Sequence, residues 1–549
     1  MKSGAQRLVR SSWLPWALSV ASFVATLISN GRALAIGDDG VGYEAIANGI
    51  AGGQDHLGYF IEPRLTVWPP LWPGLMAAVS RLTGVSTQTS AVLLNAVCAA
   101  LLTLGAWRFM TRCLQIERES SEDFAILARI AVTAVAALGG STMLFSHLLM
   151  TDLALATVTT WAWVLLVEFV LGGRWRYFAG AALLATAAFF TRYAGFTVVV
   201  ICGAWLFVAL RTTLVRRLVT TIAFGVASLA LPAFWMVRNR EIDGTLLGMR
   251  YASNRGVFAN AYDMASALGN FLLPGIEIDR RPLWISVGVI GTALVAWMAW
   301  SAMGGASHRL SSSLSKPIGL AVFQVVGFGS YILYVRSTTA LNRLDVRLLN
   351  PLYLGLISIG AYVTVQVVRH GDGVASRVGR VALGSWAVGN VVLGLVMVGY
   401  FASGAEVFKG NYNSHRYDVV QTSTALKALP ADCFFHSSAT VGGEVVAVLP
   451  TSPTCSVYSN LPNALYEVGL QASWSPRVTG AESDEPVDDL KVIGTRVETE
   501  QSYLVWLDEQ PVWGHLASLE QLRQAFDLVP LSHGERVDVY QMKPRASDR

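Results

Sequence analysis

Residues 13–39 read WLPWALSVASFVATLISNGRALAIGDD, an apolar run that ends in two adjacent aspartates. The part from Ser11 to Gly31 contains no Asp, Glu, Lys or Arg, and it matches the roughly 20 residues that a helix needs to cross a bilayer core. Basic residues precede it, as they would in a signal peptide. Because no obvious small-residue cleavage site lies before Asp38, we expect a retained first span that places Asp38 and Asp39 at its far end.

The composition favours a membrane protein over a soluble one. Of the 549 residues, 53% are hydrophobic and 14% are charged, whereas soluble domains carry roughly 25% charged residues. The apolar residues form uninterrupted blocks, which predicts a mainly α, polytopic helical membrane domain of about eleven spans. We place these spans at 13–34, 87–107, 128–149, 153–171, 177–191, 194–210, 218–237, 283–303, 317–335, 350–368 and 381–402. The net charge of +4 is spread out, so nucleic acid is not an expected partner.

The distribution of basic residues in short loops suggests an orientation. With a cytoplasmic N-terminus, the loops at 35–86 and 238–282, the turns near 151 and 192, and the tail from 403 all lie on the outer face. That face is also rich in arginine, so the charge rule is weakened here. We expect a multi-pass protein of the bacterial cytoplasmic (inner) membrane with its C-terminal domain outside.

The tail differs in composition from the rest of the chain. We divide the chain into a membrane domain at 1–403 and a soluble α/β domain at 404–549. Segments 443–449, 502–507 and 537–541 have the residue pattern of strands, and 417–429 and 519–526 that of helices.

Two of the five cysteines, Cys433 and Cys455, lie in this tail. A disulfide requires an oxidising compartment, and an isolated pair in the one segment assigned outside fits that requirement. The alternative is two unpaired buried thiols.

Acidic residues at the outer ends of two predicted spans are the first candidates for chemistry. The adjacent carboxylates of Asp38 and Asp39 repel each other, which can raise the pKa of one of them into the range of a general base. Asp152 lies in a long apolar region, where an ionisable group is a functional candidate by default. The topology puts all three on one face. The alternative interpretation makes each of them a helix N-cap.

Aromatic and proline residues follow the first acidic pair. Tyr43 begins a segment that we expect to be a short amphipathic helix on the membrane surface. The sequence Trp68-Pro69-Pro70-Leu71-Trp72-Pro73 predicts a stiff, extended segment at the interface. Such aromatics anchor proteins in membranes, and they also line grooves for sugars or lipid tails.

Arginines outnumber acids on the predicted outer face. They and their neighbours form a set of candidate phosphate-binding residues, consisting of Arg192, Tyr193, Arg238, Arg250, Arg343 and Arg347. The alternative partners are lipid headgroups and, for Arg192, the side chain of Asp152.

No glycine-rich phosphate loop follows a strand, which argues against a nucleotide site. No His/Cys cluster indicates a metal, so no cofactor is predicted with certainty, and a divalent cation is left open.

In their order and common face, these motifs resemble the GT-C class of polytopic membrane glycosyltransferases, above all the bacterial relatives of the protein mannosyltransferases and aminoarabinose transferases. The matching features, over about residues 1–370, are Asp38-Asp39, Tyr43, Pro69-Pro70-Leu71-Trp72, Asp152, Arg192 and Arg347-Leu348-Leu349-Asn350-Pro351. Relatives with a lipid A substrate commonly carry lysine where this chain has Trp68, which argues against an aminoarabinose donor.

The resemblance implies a hexosyl or pentosyl transferase that uses a sugar on a polyprenyl phosphate at the outer leaflet. The acceptor would be a lipid, a polysaccharide or a protein. Asp38 or Asp39 would be the base, with a weak preference for Asp39. Asp152 would orient the acceptor or bind water or a metal. Arg192, Arg238 and Arg347 would bind the donor phosphate.

A non-enzymatic flippase or transporter of lipid-linked sugars is the competing hypothesis. A transporter is expected to place its polar residues near the bilayer midplane, on broken helices of repeated halves. Here the acids gather at one mouth, and no repeat is visible in the sequence.

Overall fold

The computed structural model describes residues 13–32, 34–52, 65–115, 123–248, 253, 255–272, 314–339, 344–370, 373–404, 411–412, 417–434, 436–441, 444–448, 455–466, 468–470, 472–480, 483–508 and 515–545. Two of the candidate site residues, Arg250 and Arg343, and the predicted span at 283–303 lie outside these ranges.

The first part of the chain is helical, as the sequence predicts. In chain order the helices are α1 (Leu14–Ser29), α2 (Asp38–Ala51), α3 (Leu71–Thr83), α4 (Thr87–Leu114), α5 (Asp123–Leu138), α6 (Gly140–Ser146), α7 (Asp152–Gly172), α8 (Trp175–Thr191), α9 (Phe196–Ala209), α10 (Leu214–Asp243), α11 (Val257–Leu272), α12 (Ile318–Thr338), α13 (Val346–His370) and α14 (Gly373–Ala402). Among the described residues, seven helical segments are long and apolar enough to cross a membrane, and α1 and the segment Tyr193–Ala209 are shorter apolar helices. The class of a polytopic helical membrane protein is therefore confirmed.

The segment from Trp68 to Pro73 is not extended throughout, so that prediction is wrong. Leu71, Trp72 and Pro73 form the first turn of α3. Proline is compatible with a first turn because the amide groups there have no intrahelical acceptor to lose. Proline content alone therefore did not separate an extended segment from a helix start.

Helix α2 is also not the surface helix that the sequence predicts. It is enclosed over most of its length, and the buried residues include all those from Gly40 to Ala47. It packs on α3 and α4 and contacts the C-terminal region.

Small residues let the central helices approach closely. Helix α4 packs against α1, α5 and α7, and a Cβ at Gly105 would lie 2.7 Å from the Thr160 side chain. Phe109 and Trp163 fill the same interface with ring centroids 5.1 Å apart. Close packing through small residues is the usual basis of helix association in membranes.

The described part of the C-terminal region contains the strands β1 (His436–Val441), β2 (Glu444–Val448), β3 (Cys455–Ser459), β4 (Ser473–Trp474), β5 (Thr479–Gly480), β6 (Ser483–Pro486), β7 (Gln501–Leu507), β8 (Phe526–His533) and β9 (Val537–Pro544). The main sheet has the order β4-β3-β7-β9-β8. Strand β3 is parallel to β4 and β7, and β9 is antiparallel to β7 and β8. The helices that accompany these strands among the described residues are α15 (Asp418–Gln421), α16 (Pro462–Tyr466), α17 (Asp489–Thr499) and α18 (Leu519–Ala525).

The predicted helix at 417–429 is broken. A short helix, Asp418–Gln421, is followed by a 3₁₀ turn at Thr424–Ala428. The Ser423 side chain accepts a hydrogen bond from the Ala425 amide, and serine in this role competes with a continuous helix.

A disulfide joins Cys433 to Cys455 across 22 residues of sequence. It connects the 3₁₀ turn Ala431–Cys433 to the start of β3.

Candidate functional site

The N-terminus of α2 carries the first acidic pair. Gly37 is the residue that caps the helix, and Asp38 and Asp39 occupy the first turn. Carboxylates are favourable there because the helix dipole is positive at this end. The two aspartates are therefore not N-caps, although the helix end does stabilise them.

Asp38 is held by two donors from the C-terminal region. Its Oδ1 atom accepts hydrogen bonds from the Tyr412 hydroxyl at 2.6 Å and from the Asn463 amide at 2.5 Å. Burial raises the pKa of the Asp38 carboxyl above its usual value, and these hydrogen bonds offset part of the rise. The negative charge of Asp39 raises this pKa further, and the positive charge of Arg347 lowers it.

Asp39 faces a different neighbour and is more open. Its Oδ2 atom lies 3.3 Å from Nη1 of Arg347, and 36% of its side chain is exposed. Arg347 belongs to the first turn of α13, and its Nη1 also lies 3.7 Å from Sδ of Met150. The Nε atom of Arg347 is buried and has no hydrogen-bond partner among the described residues, which leaves a cationic donor available for an anion.

Asp152 forms the second acidic position, in the first turn of α7 after Thr151. Its side chain is almost wholly buried and pairs with Arg192. The Asn350 amide donates to the Asp152 carbonyl oxygen at 2.9 Å. The second carboxylate oxygen, Oδ2, is buried without a hydrogen-bond partner among the described residues.

Arg192 reaches Asp152 because the chain breaks between two helices. Arg192 has extended backbone after α8, and a 3₁₀ turn at Tyr193–Gly195 leads into α9. A Cβ at Gly195 would lie 2.0 Å from the Ala188 carbonyl oxygen, so this tight break requires glycine. The break separates helices α8 and α9, at the boundary predicted between the spans 177–191 and 194–210.

Backbone pairing brings the two acidic positions together. The Ala35 amide donates to the His147 carbonyl at 2.9 Å, and the Leu149 amide donates to the Ala35 carbonyl at 2.9 Å. A Cβ at Gly40 would lie 2.9 Å from the Leu149 carbonyl oxygen. The loop before α2 and the loop before α7 therefore lie side by side at one end of the helical bundle.

Tyr43 sits between these positions. It is buried, makes a side-chain hydrogen bond to Thr151, and packs edge to face on Trp68 with centroids 6.3 Å apart. Burial raises the pKa of Tyr43 to about 12, so its hydroxyl stays protonated at neutral pH. A Cβ at Gly42 would lie 3.1 Å from the Trp68 ring.

Trp72 and Pro70, the remaining aromatic and proline candidates, do not form an open surface. Trp72 is only 1% exposed, so it packs inside the protein and does not line an open groove. Pro70 is half-buried and caps α3.

Tyr193 and Arg238 bind backbone in this structure. The Tyr193 hydroxyl donates to the Thr66 carbonyl at 2.6 Å and accepts from Trp235 and Asn239. Arg238 donates to the Leu65 carbonyl at 2.9 Å and stacks on the Trp235 ring. Both side chains thus brace the segment before the proline motif.

A metal site made of protein side chains is not present in the described ranges, where no three His, Cys, Asp or Glu residues come together in a ligand group. The cation that faces Asp152 is the guanidinium of Arg192.

The structure adds three residues to the site that the sequence did not indicate. Tyr412 and Asn463 lie in the tail, and neither belongs to a recognisable motif. Asn350 belongs to the motif that starts at Arg347, but nothing in the sequence indicates that its side chain holds the backbone at Asp152.

Replacing Arg192 with Met should lower stability by about 3 kcal/mol, because it leaves the Asp152 carboxylate buried without its partner. Thermal unfolding in detergent would measure this loss. Arg112→Met is the matched control, since the Arg112–Glu168 pair is more open at its acidic end, with 18% of the Glu168 side chain exposed against 2% for Asp152. Adding Asp152→Asn to Arg192→Met should recover part of the loss. An Arg192→Met variant as stable as the unchanged protein would contradict the pairing of Arg192 with Asp152.

The sequence matches no family pattern and no curated protein. Three-dimensional comparison gives clear matches. ArnT from Cupriavidus metallidurans superposes with a TM-score of 0.56 at 13% identity, over 97% of this chain and 98% of ArnT. The oligosaccharyltransferase AglB from Archaeoglobus fulgidus gives 0.52 at 12% identity, over 98% of this chain and 75% of AglB. The arabinofuranosyltransferase AftD from Mycobacteria gives 0.50 at 13% identity, over 97% of this chain and 40% of AftD.

These solved structures are all GT-C glycosyltransferases. Identities of 12% and 13% establish the architecture and not the chemistry. Over nearly its whole length, this chain has the GT-C fold.

Proposed function

We propose that the chain is a membrane glycosyltransferase. It would move a sugar from a polyprenyl-phosphate donor to an acceptor hydroxyl, with inversion, on the outer face of the bacterial cytoplasmic membrane. The observation that carries the proposal is the convergence of the Asp39–Arg347 and Asp152–Arg192 pairs at one end of a GT-C bundle. ArnT has been solved bound to undecaprenyl phosphate and AglB in complex with a dolichol-phosphate. These lipids correspond to the lipid phosphate part of the proposed donor.

Asp39 is our choice for the general base. Its carboxylate is partly exposed and forms an ion pair with Arg347, whereas one oxygen of Asp38 already accepts two hydrogen bonds. A base must lie within hydrogen-bond reach of the acceptor hydroxyl, so an open carboxylate suits the role better.

The proposed step moves one proton and exchanges one bond. The acceptor hydroxyl gives its proton to the Asp39 carboxylate while its oxygen bonds to the anomeric carbon of the sugar. The bond from that carbon to the phosphate oxygen breaks, and polyprenyl phosphate leaves with the electron pair. Attack from the side opposite the phosphate inverts the anomeric centre.

Arg347 would stabilise charge on the departing phosphate. Its buried Nε has no partner among the described residues, and its contact to Asp39 is long enough to be shared with an anion.

Asp152 would orient the acceptor. Its Oδ2 atom is buried without a partner in the described part of the chain, and an acceptor hydroxyl would satisfy it. Arg192 pairs with this carboxylate and fixes its direction.

A panel of polyprenyl-phosphate sugars, hexosyl and pentosyl, tests the function. Purified protein in liposomes should release polyprenyl phosphate from at least one donor in the presence of acceptor lipids, polysaccharide or peptides. Asp39→Asn protein should not. Movement of intact donor lipid between leaflets without sugar transfer would favour a flippase and overturn the proposal.

A further inference from the structure

We propose that Tyr412 and Asn463, both supplied by the C-terminal region, are positioning residues that hold the N-terminus of α2 through Asp38. This inference rests on the function proposed above. It gives the C-terminal region a direct part in setting the catalytic geometry.

Both donors converge on one carboxylate oxygen. The Tyr412 hydroxyl and the Asn463 amide reach Oδ1 of Asp38 at 2.6 Å and 2.5 Å. Tyr412 is 3% exposed and Asn463 is 2% exposed. Hydrogen bonds to an ionised acceptor are about twice as strong as neutral ones, so a buried pair of them fixes the Asp38 side chain firmly.

Further hydrogen bonds attach the segments that carry Tyr412 and Asn463 to α2 and to the loop before it. The Tyr412 amide donates to the Ile36 carbonyl at 2.8 Å, and the Ile36 amide donates to the Asn411 side chain at 3.0 Å. At the other end of α2, the Asn48 amide donates to the Tyr466 hydroxyl at 3.1 Å. The C-terminal region thus contacts the chain before, at and after the acidic pair.

The disulfide tethers the strand that leads to one of these attachments. Cys455 begins β3, and this strand ends three residues before the helix Pro462–Tyr466 that carries Asn463. Asn463 is therefore presented from a tethered strand and a short helix, and not from a free loop.

The link to catalysis is the adjacency of Asp38 and Asp39. The two residues share the first turn of α2, so a shift of the Asp38 backbone moves the Asp39 carboxylate as well. Displacement of a reacting group by about 1 Å can cost two orders of magnitude in rate. The two hydrogen bonds from Tyr412 and Asn463 form a clamp on Asp38. This clamp would keep the Asp39 carboxylate aligned with the acceptor hydroxyl.

Asn463→Leu and Tyr412→Phe should each lower kcat by about 10-fold and leave the donor KM within about 2-fold, because geometry and not donor binding is changed. Tyr466→Phe is the matched control. It removes a tail hydrogen bond of similar length to α2 but none to Asp38, so its kcat should stay within about 2-fold. A loss in Tyr466→Phe as large as that in Asn463→Leu would overturn the specific role of the two donors.

The pH profile gives a readout that a purely structural role would not move. Apart from its hydrogen-bond donors, the charged groups that act on Asp38 are Asp39 and Arg347. The Tyr412 hydroxyl lowers the pKa of Asp38, so Tyr412→Phe should raise it and move the acid limb of kcat to higher pH. Asp38→Asn, which keeps an acceptor oxygen but cannot ionise, should retain more activity than Asp38→Leu. Equal loss in these two variants, with an unmoved acid limb in Tyr412→Phe, would refute the clamp.

Hydrogen exchange in the full-length protein separates this inference from the proposed function. Amides at 411–412 and 463–466 should exchange about 10-fold faster in Asp38→Leu than in the unchanged protein, whether or not any sugar is transferred. Unchanged exchange would refute the clamp. Faster exchange in a protein that transfers no sugar would leave the clamp in place and reject the glycosyltransferase.

Discussion

Asp39→Asn should reduce kcat by about 1,000-fold, the effect expected when a positioned general base is removed. The donor KM should stay the same or fall, because the change also frees Arg347 from a carboxylate 3.3 Å away and leaves it available for the donor phosphate. Initial rates of polyprenyl phosphate release, measured across donor concentrations, separate the two parameters.

Asp345→Asn is the matched charge control. Asp345 lies near Arg347 on the same helix end, where its Oδ1 accepts a hydrogen bond from the Leu348 amide at 3.0 Å. Asparagine retains that cap while removing one negative charge, so kcat should change by less than about 5-fold. Equal losses in the two variants would mean that local charge, and not a base at position 39, controls the rate.

The sequence predicted the helices better than it predicted their surroundings. Ten of the eleven predicted spans coincide with described helices, because blocks of apolar residues are sufficient to locate them. It also placed Asp39 and Asp152 on one face, which requires only that the helices between them be counted correctly. Whether α2 is enclosed or lies on a surface depends on α3, α4 and the tail, and no local pattern carries that information.

Contacts between distant parts of the chain explain which residue roles the sequence could not indicate. Tyr412 and Asn463 are 374 and 425 residues from Asp38 in the sequence, so no motif links them. The sequence predicts Tyr193 and Arg238 as substrate residues from their type and position. In the structure their polar atoms hold the carbonyls of Leu65 and Thr66, a use that only the folded arrangement reveals.

The difference between an arginine that is bonded to a backbone carbonyl and one with a donor left unpaired in the described part of the chain predicts which arginine binds the donor phosphate. Arg347→Gln should lower kcat by about 100-fold and weaken binding of undecaprenyl phosphate, because it removes a buried cationic donor whose Nε has no partner among the described residues. Arg347→Lys should be intermediate, since lysine keeps the charge but cannot contact Asp39 and phosphate with a planar fork.

Arg238→Gln provides the comparison, because its guanidinium already donates to the Leu65 carbonyl and the Asn239 side chain. It should alter undecaprenyl phosphate binding by less than about 3-fold. Titration of each variant with undecaprenyl phosphate, under conditions where no sugar is transferred, measures this difference directly. If Arg238→Gln loses more affinity than Arg347→Gln, the phosphate lies beside the proline segment and not beside Asp39, and the assignment of Asp39 as the base fails with it.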